Sequence, residues 1–105
     1  MLERDYQPNL IKRIRELLPG CLIQKLDTGY QQGIPDLLVL YEDRWAILEV
    51  KKSLKDRNRP EPNQEHFVER LNNMSFSAFI YPENEEEVLR GLQAALQPSW
   101  DTRIP

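Results

Sequence analysis

The sequence predicts an α/β fold, a mixed sheet flanked by helices, in the order α-β-β-β-α-β-α. Apolar residues recur at helical spacing near both ends of the chain. Two strongly apolar runs joined by a short turn, IPDLLVL and WAILEVK, lie between them. A chain of 105 residues holds one domain of this kind. We place that domain at residues 1–97, with 98–105 as a C-terminal tail.

The elements follow in order. Leu10, Ile11, Ile14, Leu17 and Leu18 form one helical face over 6–18, with Asp5 as N-cap and Pro8 in the first turn. Pro19-Gly20 stops this helix. CLIQKL, residues 21–26, reads as a short strand, and DTGYQQG as a loop in which Gly29 and Gly33 permit unusual backbone angles. Residues 34–40 and 45–51 are the strongest strand signals, with YEDR turning between them. Both strands are apolar on both faces, which predicts a sheet covered on two sides. Residues 52–62 read as a basic loop. Asn63 caps a helix over 64–73 that turns Phe67, Val68 and Leu71 inward. FSAFIY is a strand ended by Pro82. Asn84 with Glu87 resembles a capping box, ahead of a helix bearing Val88, Leu89, Leu92 and Leu96.

Composition narrows the function. With 14 basic against 17 acidic residues the net charge is −3, which argues against a protein that coats nucleic acid. The charge is segregated, however. KKSLKDRNR at 51–59 is basic and ENEEE at 83–87 is acidic, so an acidic chain can still keep one basic face. One cysteine, Cys21, and one histidine, His66, exclude an internal disulfide and a zinc site of Cys and His ligands within one chain. No window approaches the roughly 18 apolar residues of a membrane span. The first residues lack the apolar core of a signal peptide, so the expected location is the cytoplasm.

Three charged residues sit where charge is costly: Asp36 in the first apolar run, Glu49 and Lys51 in the second. A symmetric turn at 41–44 pairs position 40 with 45, so Asp36 falls opposite Glu49. Period-2 alternation puts Asp36, Glu49 and Lys51 on one face. Two opposed carboxylates repel unless a cation lies between them or one is protonated. A hard divalent ion such as Mg²⁺ suits the pair, and Lys51 is placed to orient an attacking water and steady a phosphate. The competing reading makes them strand-end residues in a salt bridge.

GIPDLLVL, a short turn and WAILEVKKS together resemble the PD-(D/E)xK nuclease signature. Gly33-Ile34-Pro35-Asp36, with Gln64 on the next helix, is similar to its virus-type replication-repair (VRR-NUC) branch, in the stand-alone form of phages and bacteria. The resemblance covers residues 3–92. It implies a restriction-endonuclease-like fold and a Mg²⁺-dependent DNA endonuclease, with Mn²⁺ substituting. Asp36, Glu49 and the Val50 carbonyl would hold the metal, Lys51 would serve the nucleophilic water, and Gln64 would face the site. A helix-borne carboxylate would join them, Glu3 by its position ahead of Tyr6 and Leu10, or Glu16. Branched DNA such as four-way junctions, a homodimer, and a bacterial or phage-infected cell are further implications.

Lys52, Lys55, Arg57 and Arg59 follow the candidate catalytic strand and are placed to meet DNA phosphates. Arg4, Lys12, Arg13 and Arg15 can extend the same face. Tyr30, Gln31 and Gln32 contact substrate or form a plain turn. His66 is a surface residue or a neighbour of Gln64, and Trp100 an exposed aromatic of the tail. Two other functions fit the chain. One is a nuclease-like module that binds DNA without cutting; intact Asp36, Glu49 and Lys51 weigh against it. The other is a phage interaction factor whose ENEEE run mimics DNA, although carboxylates also suit a helix N-terminus.

Overall fold

The structure, a computed structural model, describes residues 3–27, 31–59 and 61–97, with the backbone alone at Glu3 and Arg4. Its elements are α1 (Glu3–Leu17), β1 (Leu22–Lys25), β2 (Leu37–Tyr41), β3 (Arg44–Val50), α2 (Leu54–Arg57), α3 (Gln64–Met74), β4 (Phe76–Ile80) and α4 (Glu85–Leu96). The four strands lie in the order β1-β2-β3-β4. The first three are antiparallel, and β4 runs parallel to β3. The expected mixed sheet is what the chain forms.

Alternation along the strands sorts the side chains. Leu37, Val39, Ala46, Leu48, Val50 and Ile80 share one face and pack on Tyr6, Leu10, Ile14 and Leu18 of the α1 segment and on Val88, Leu89, Leu92 and Leu96 of α4. Each fully buried leucine there contributes about 1.5–3 kcal/mol. The helices are also tied by polar groups. Arg13 of α1 pairs with Glu85 and Glu86 of α4, and the Tyr6 hydroxyl donates to Glu85 Oε1 at 2.7 Å. Burial, then the Glu85 carboxylate, push the Tyr6 pKa well above the ordinary phenol range.

The opposite face carries the chemistry. Glu49, Ser77 and Phe79 are buried on it, with α3 packed over β3 and β4 and its Val68 buried. Over β1 and β2 this face is open among the described residues, and Leu22 is 68% and Leu40 38% exposed. The expected two-sided cover is therefore partial.

Several local expectations need correction. Helix α1 starts at Glu3, so Asp5 lies within it instead of capping it, and Pro8 sits in its second turn. Strand β2 starts at Leu37, not at Ile34, because Gly33 turns at φ +90 and Pro35 has no N–H for a ladder. The hairpin turn is only Glu42-Asp43, with Glu42 at φ 54 and Tyr41 paired to Arg44. The register is nevertheless the expected one, since Leu40 pairs with Trp45. The basic loop contains a short helix, α2, whose N-cap Ser53 Oγ accepts from the Asp56 amide at 3.1 Å. Asn84 makes no cap bond to α4; its side chain closes the preceding turn, accepting from the Tyr81 amide and donating to the Phe79 carbonyl. Asn63 stands at the N-cap of α3 at φ +70 without a side-chain cap bond. Gly29, Tyr30 and Trp100 lie outside the described residues.

Candidate active site

The site forms where the C-terminal end of β3 meets the loop before β2 and the start of α3. Glu49 lies within β3, flanked by β2 and β4, and is 2% exposed; Lys51, just past the strand, is 6% exposed. Both are therefore buried where β3 ends, and they pair there as the competing reading expects. Lys51 Nζ stands 3.8 Å from Glu49 Oε2, and the Lys51 amide donates to the Ile80 carbonyl at 2.9 Å, fixing the backbone between them.

Asp36 lies one step beyond the last β2–β3 ladder pair, Leu37–Leu48, so the register places it opposite Glu49. It is held from two sides. Its carbonyl accepts from the Leu26 amide at 2.7 Å, and its Oδ2 accepts from the Val50 amide at 2.9 Å. Pro35 beside it is fully buried. Gly33 supplies the turn at the head of this loop, with its backbone against Pro62 and Asn63.

Gln64 opens α3 and is buried. Its Oε1 accepts from the Glu61 amide at 2.9 Å, which fixes the carboxamide so that Nε2 donates to Glu49 Oε2 at 3.0 Å. The structure thus brings Asp36, Glu49, Val50, Lys51 and Gln64 together. Glu3 is the first residue of α1, three residues before buried Tyr6, and its side chain lies outside the described residues. Glu16 is exposed in the last turn of α1.

The basic residues divide. Lys52, Lys55 and Arg59 are exposed and, with Ser53 and Asp56, line a recess of about 220 Å³ directly after Lys51. Arg57 points elsewhere: it pairs with Glu65 at 2.9 Å, and its guanidinium lies 3.9 Å over the Phe79 ring. This stack was not foreseen in the sequence, although Ser53-x-x-Asp56 signals the helix that sets it up. Arg13 is committed to Glu85 and Glu86. His66 is exposed, its ring edge-on to Phe67.

No cluster of three or more His, Cys, Asp or Glu side chains occurs among the described residues. Two carboxylates and a backbone carbonyl are all hard oxygen donors, and one or two carboxylates with water suffice for Mg²⁺. The residues present therefore fit such an ion.

A mixed four-stranded sheet flanked by helices is the architecture of the restriction-endonuclease-like fold. Neither a protein-family model nor a curated protein matches the sequence. A solved structure described as a VRR_NUC domain matches with 28% identity and a TM-score of 0.64, over 87% of this chain and 94% of that one. This likeness supports the VRR-NUC nuclease family for the chain.

Proposed function

We infer that the protein is a divalent-metal-dependent DNA endonuclease. The observation that carries this reading is the convergence of Asp36, Glu49, Lys51 and Gln64 at one buried end of β3. Buried charges of this kind are costly in a merely structural setting. Asp36, Glu49 and the Val50 carbonyl would hold Mg²⁺, with Mn²⁺ as a substitute and Glu3 as a further carboxylate. When bound, the ion would polarise a phosphoryl oxygen and lower the pKa of a coordinated water.

The protein's own groups supply the rest. Gln64 holds Glu49 Oε2 by a hydrogen bond whose direction the Glu61 amide dictates. The Val50 amide holds the Asp36 carboxylate. Lys51, beside Glu49, orients the attacking water and offsets charge building on the phosphate. Lys52, Lys55 and Arg59 take neighbouring phosphates, where each contact positions the duplex without reading sequence.

The finer reading is cleavage of branched DNA, such as four-way junctions, by a homodimer in a bacterial or phage-infected cytoplasm. Leu22, Leu40 and Trp45 are register neighbours across β1–β3, and this partly exposed apolar row on the open sheet face supports self-association. The test is incubation with Mg²⁺, Mn²⁺ or chelator and a labelled panel of four-way junction, flap, single strand and duplex. Metal-dependent cutting that prefers the branched DNAs is expected. Binding without cutting under all conditions would favour a non-catalytic DNA module.

A further inference from the structure

A second recess lies between α2, α3 and β4, with a volume of about 260 Å³. Arg57, Glu65, Glu69, Asn72, Ser77 and Phe79 are among its lining. Phe79 is the register partner of Glu49 in the parallel pair, so this floor adjoins the candidate active site on the same face of the sheet. The volume is just below the range of about 300–1,000 Å³ usual for drug-sized ligands, which suits something smaller.

Its chemistry is specific. The Arg57 guanidinium covers the Phe79 ring on one side, is pinned by Glu65, and leaves its side chain 28% exposed. Held over the ring in this way, the guanidinium, planar by its bonding, offers a stacking surface at little further entropic cost. Glu65 offsets its charge and Glu69 adds a second carboxylate, so the recess is unfavourable for a phosphate. Below, Ser77 is 4% exposed and its buried Oγ has no hydrogen-bond partner. Asn72 Oδ1 is occupied by the Ser77 amide at 3.0 Å, which leaves its amino group as the donor it can offer. A flat stacking surface with polar groups at its edge and repulsion toward anions matches a nucleobase, since unpaired bases stack on guanidinium planes and bond through their edges.

We propose that this recess receives one unpaired base of the DNA substrate, stacked on Arg57 and hydrogen-bonded at its edge by Asn72 and Ser77. The proposal rests on the nuclease reading above and gives preference, among branched DNAs, to those carrying an unpaired nucleotide beside the cleavage position. Arg57 then serves by stacking, whereas Lys52, Lys55 and Arg59 serve by charge.

The experiment compares binding, in Ca²⁺, of a flap whose first unpaired nucleotide is normal with the same flap bearing an abasic analogue there. The wild-type protein should prefer the normal flap by about tenfold, the scale of one stacked base. Arg57→Lys, which keeps the charge and loses the plane, and Asn72→Ala should each shrink that preference. Equal wild-type affinities for the two flaps would overturn the proposal, and that comparison needs no variant. A preference undiminished in Arg57→Lys would overturn the stacking role. Cleavage in Mg²⁺ separates the two readings: cutting without base preference refutes the recess alone, and no cutting of any DNA refutes the nuclease.

Discussion

The backbone of Gly33 lies so close to the turn before α3 that a Cβ on it would stand 2.7 Å from Asn63 Cβ and 2.9 Å from the Pro62 carbonyl. This contact joins the loop that carries Asp36 to the helix that carries Gln64. Both residues adopt positive φ, +90 at Gly33 and +70 at Asn63, so the approach is built from backbone on each side.

Gly33→Ala should therefore destabilise the fold by at least about 2 kcal/mol, combining a disfavoured backbone angle with a steric clash. Urea unfolding measures it. Asn63→Gly in the same chain should recover part of the loss by removing one of the clashing atoms. A loss under about 0.5 kcal/mol, the range of ordinary surface substitutions, would mean that the contact is easily relieved.

Gln64→Glu keeps the acceptor for the Glu61 amide and replaces the donor to Glu49 with a carboxylate. Like charges raise a carboxyl pKa in the fold. A raised folded pKa means stability present below the unfolded value, about 4.3, and lost as pH rises through the folded one. The variant should match wild type near pH 4 and fall below it toward pH 7 in thermal melts. A constant difference across that range would contradict the contact.

Much of this site was legible in the sequence. Charges at Asp36, Glu49 and Lys51 stand out because they interrupt apolar strands, and a symmetric hairpin turn fixes which of them oppose. The register survived even though the turn is two residues shorter than YEDR suggested, because shortening it symmetrically leaves the pairing unchanged. What escaped was tertiary. Arg57 reads as one more cation in a basic run, and only the packing of α2 on β4 sets it over Phe79. Asn84 carries the signature of a helix cap, yet the β4–α4 turn offers its side chain two backbone partners that the sequence does not reveal.

Tyr6 gives a prediction at high pH. Its folded pKa is raised, first by burial and then by Glu85, so stability is complete below the unfolded value of about 10 and declines above it. Between pH 9 and 11 the wild type should lose stability more steeply than Tyr6→Phe, by up to about 1.4 kcal/mol per pH unit. Parallel curves from chemical unfolding would show that the phenol does not titrate differently in the fold.

Metal should stabilise the folded chain by mass action if Asp36 and Glu49 hold it, by about 2.7 kcal/mol at a hundredfold excess over Kd. Thermal melts with rising Mg²⁺ should shift upward in the wild type and stay flat in Asp36→Asn and Glu49→Gln. Equal shifts in all three would place metal binding elsewhere.

The most direct test is the single-turnover cleavage rate of a four-way junction in Mg²⁺ by wild type, Glu49→Gln and Lys51→Ala, with circular dichroism confirming that all three fold. Metal-dependent cutting by the wild type is expected, with a loss of at least about a hundredfold in each variant, the scale of removing a group that activates the nucleophile. Folded variants that cut at the wild-type rate would contradict a catalytic centre built on Glu49 and Lys51.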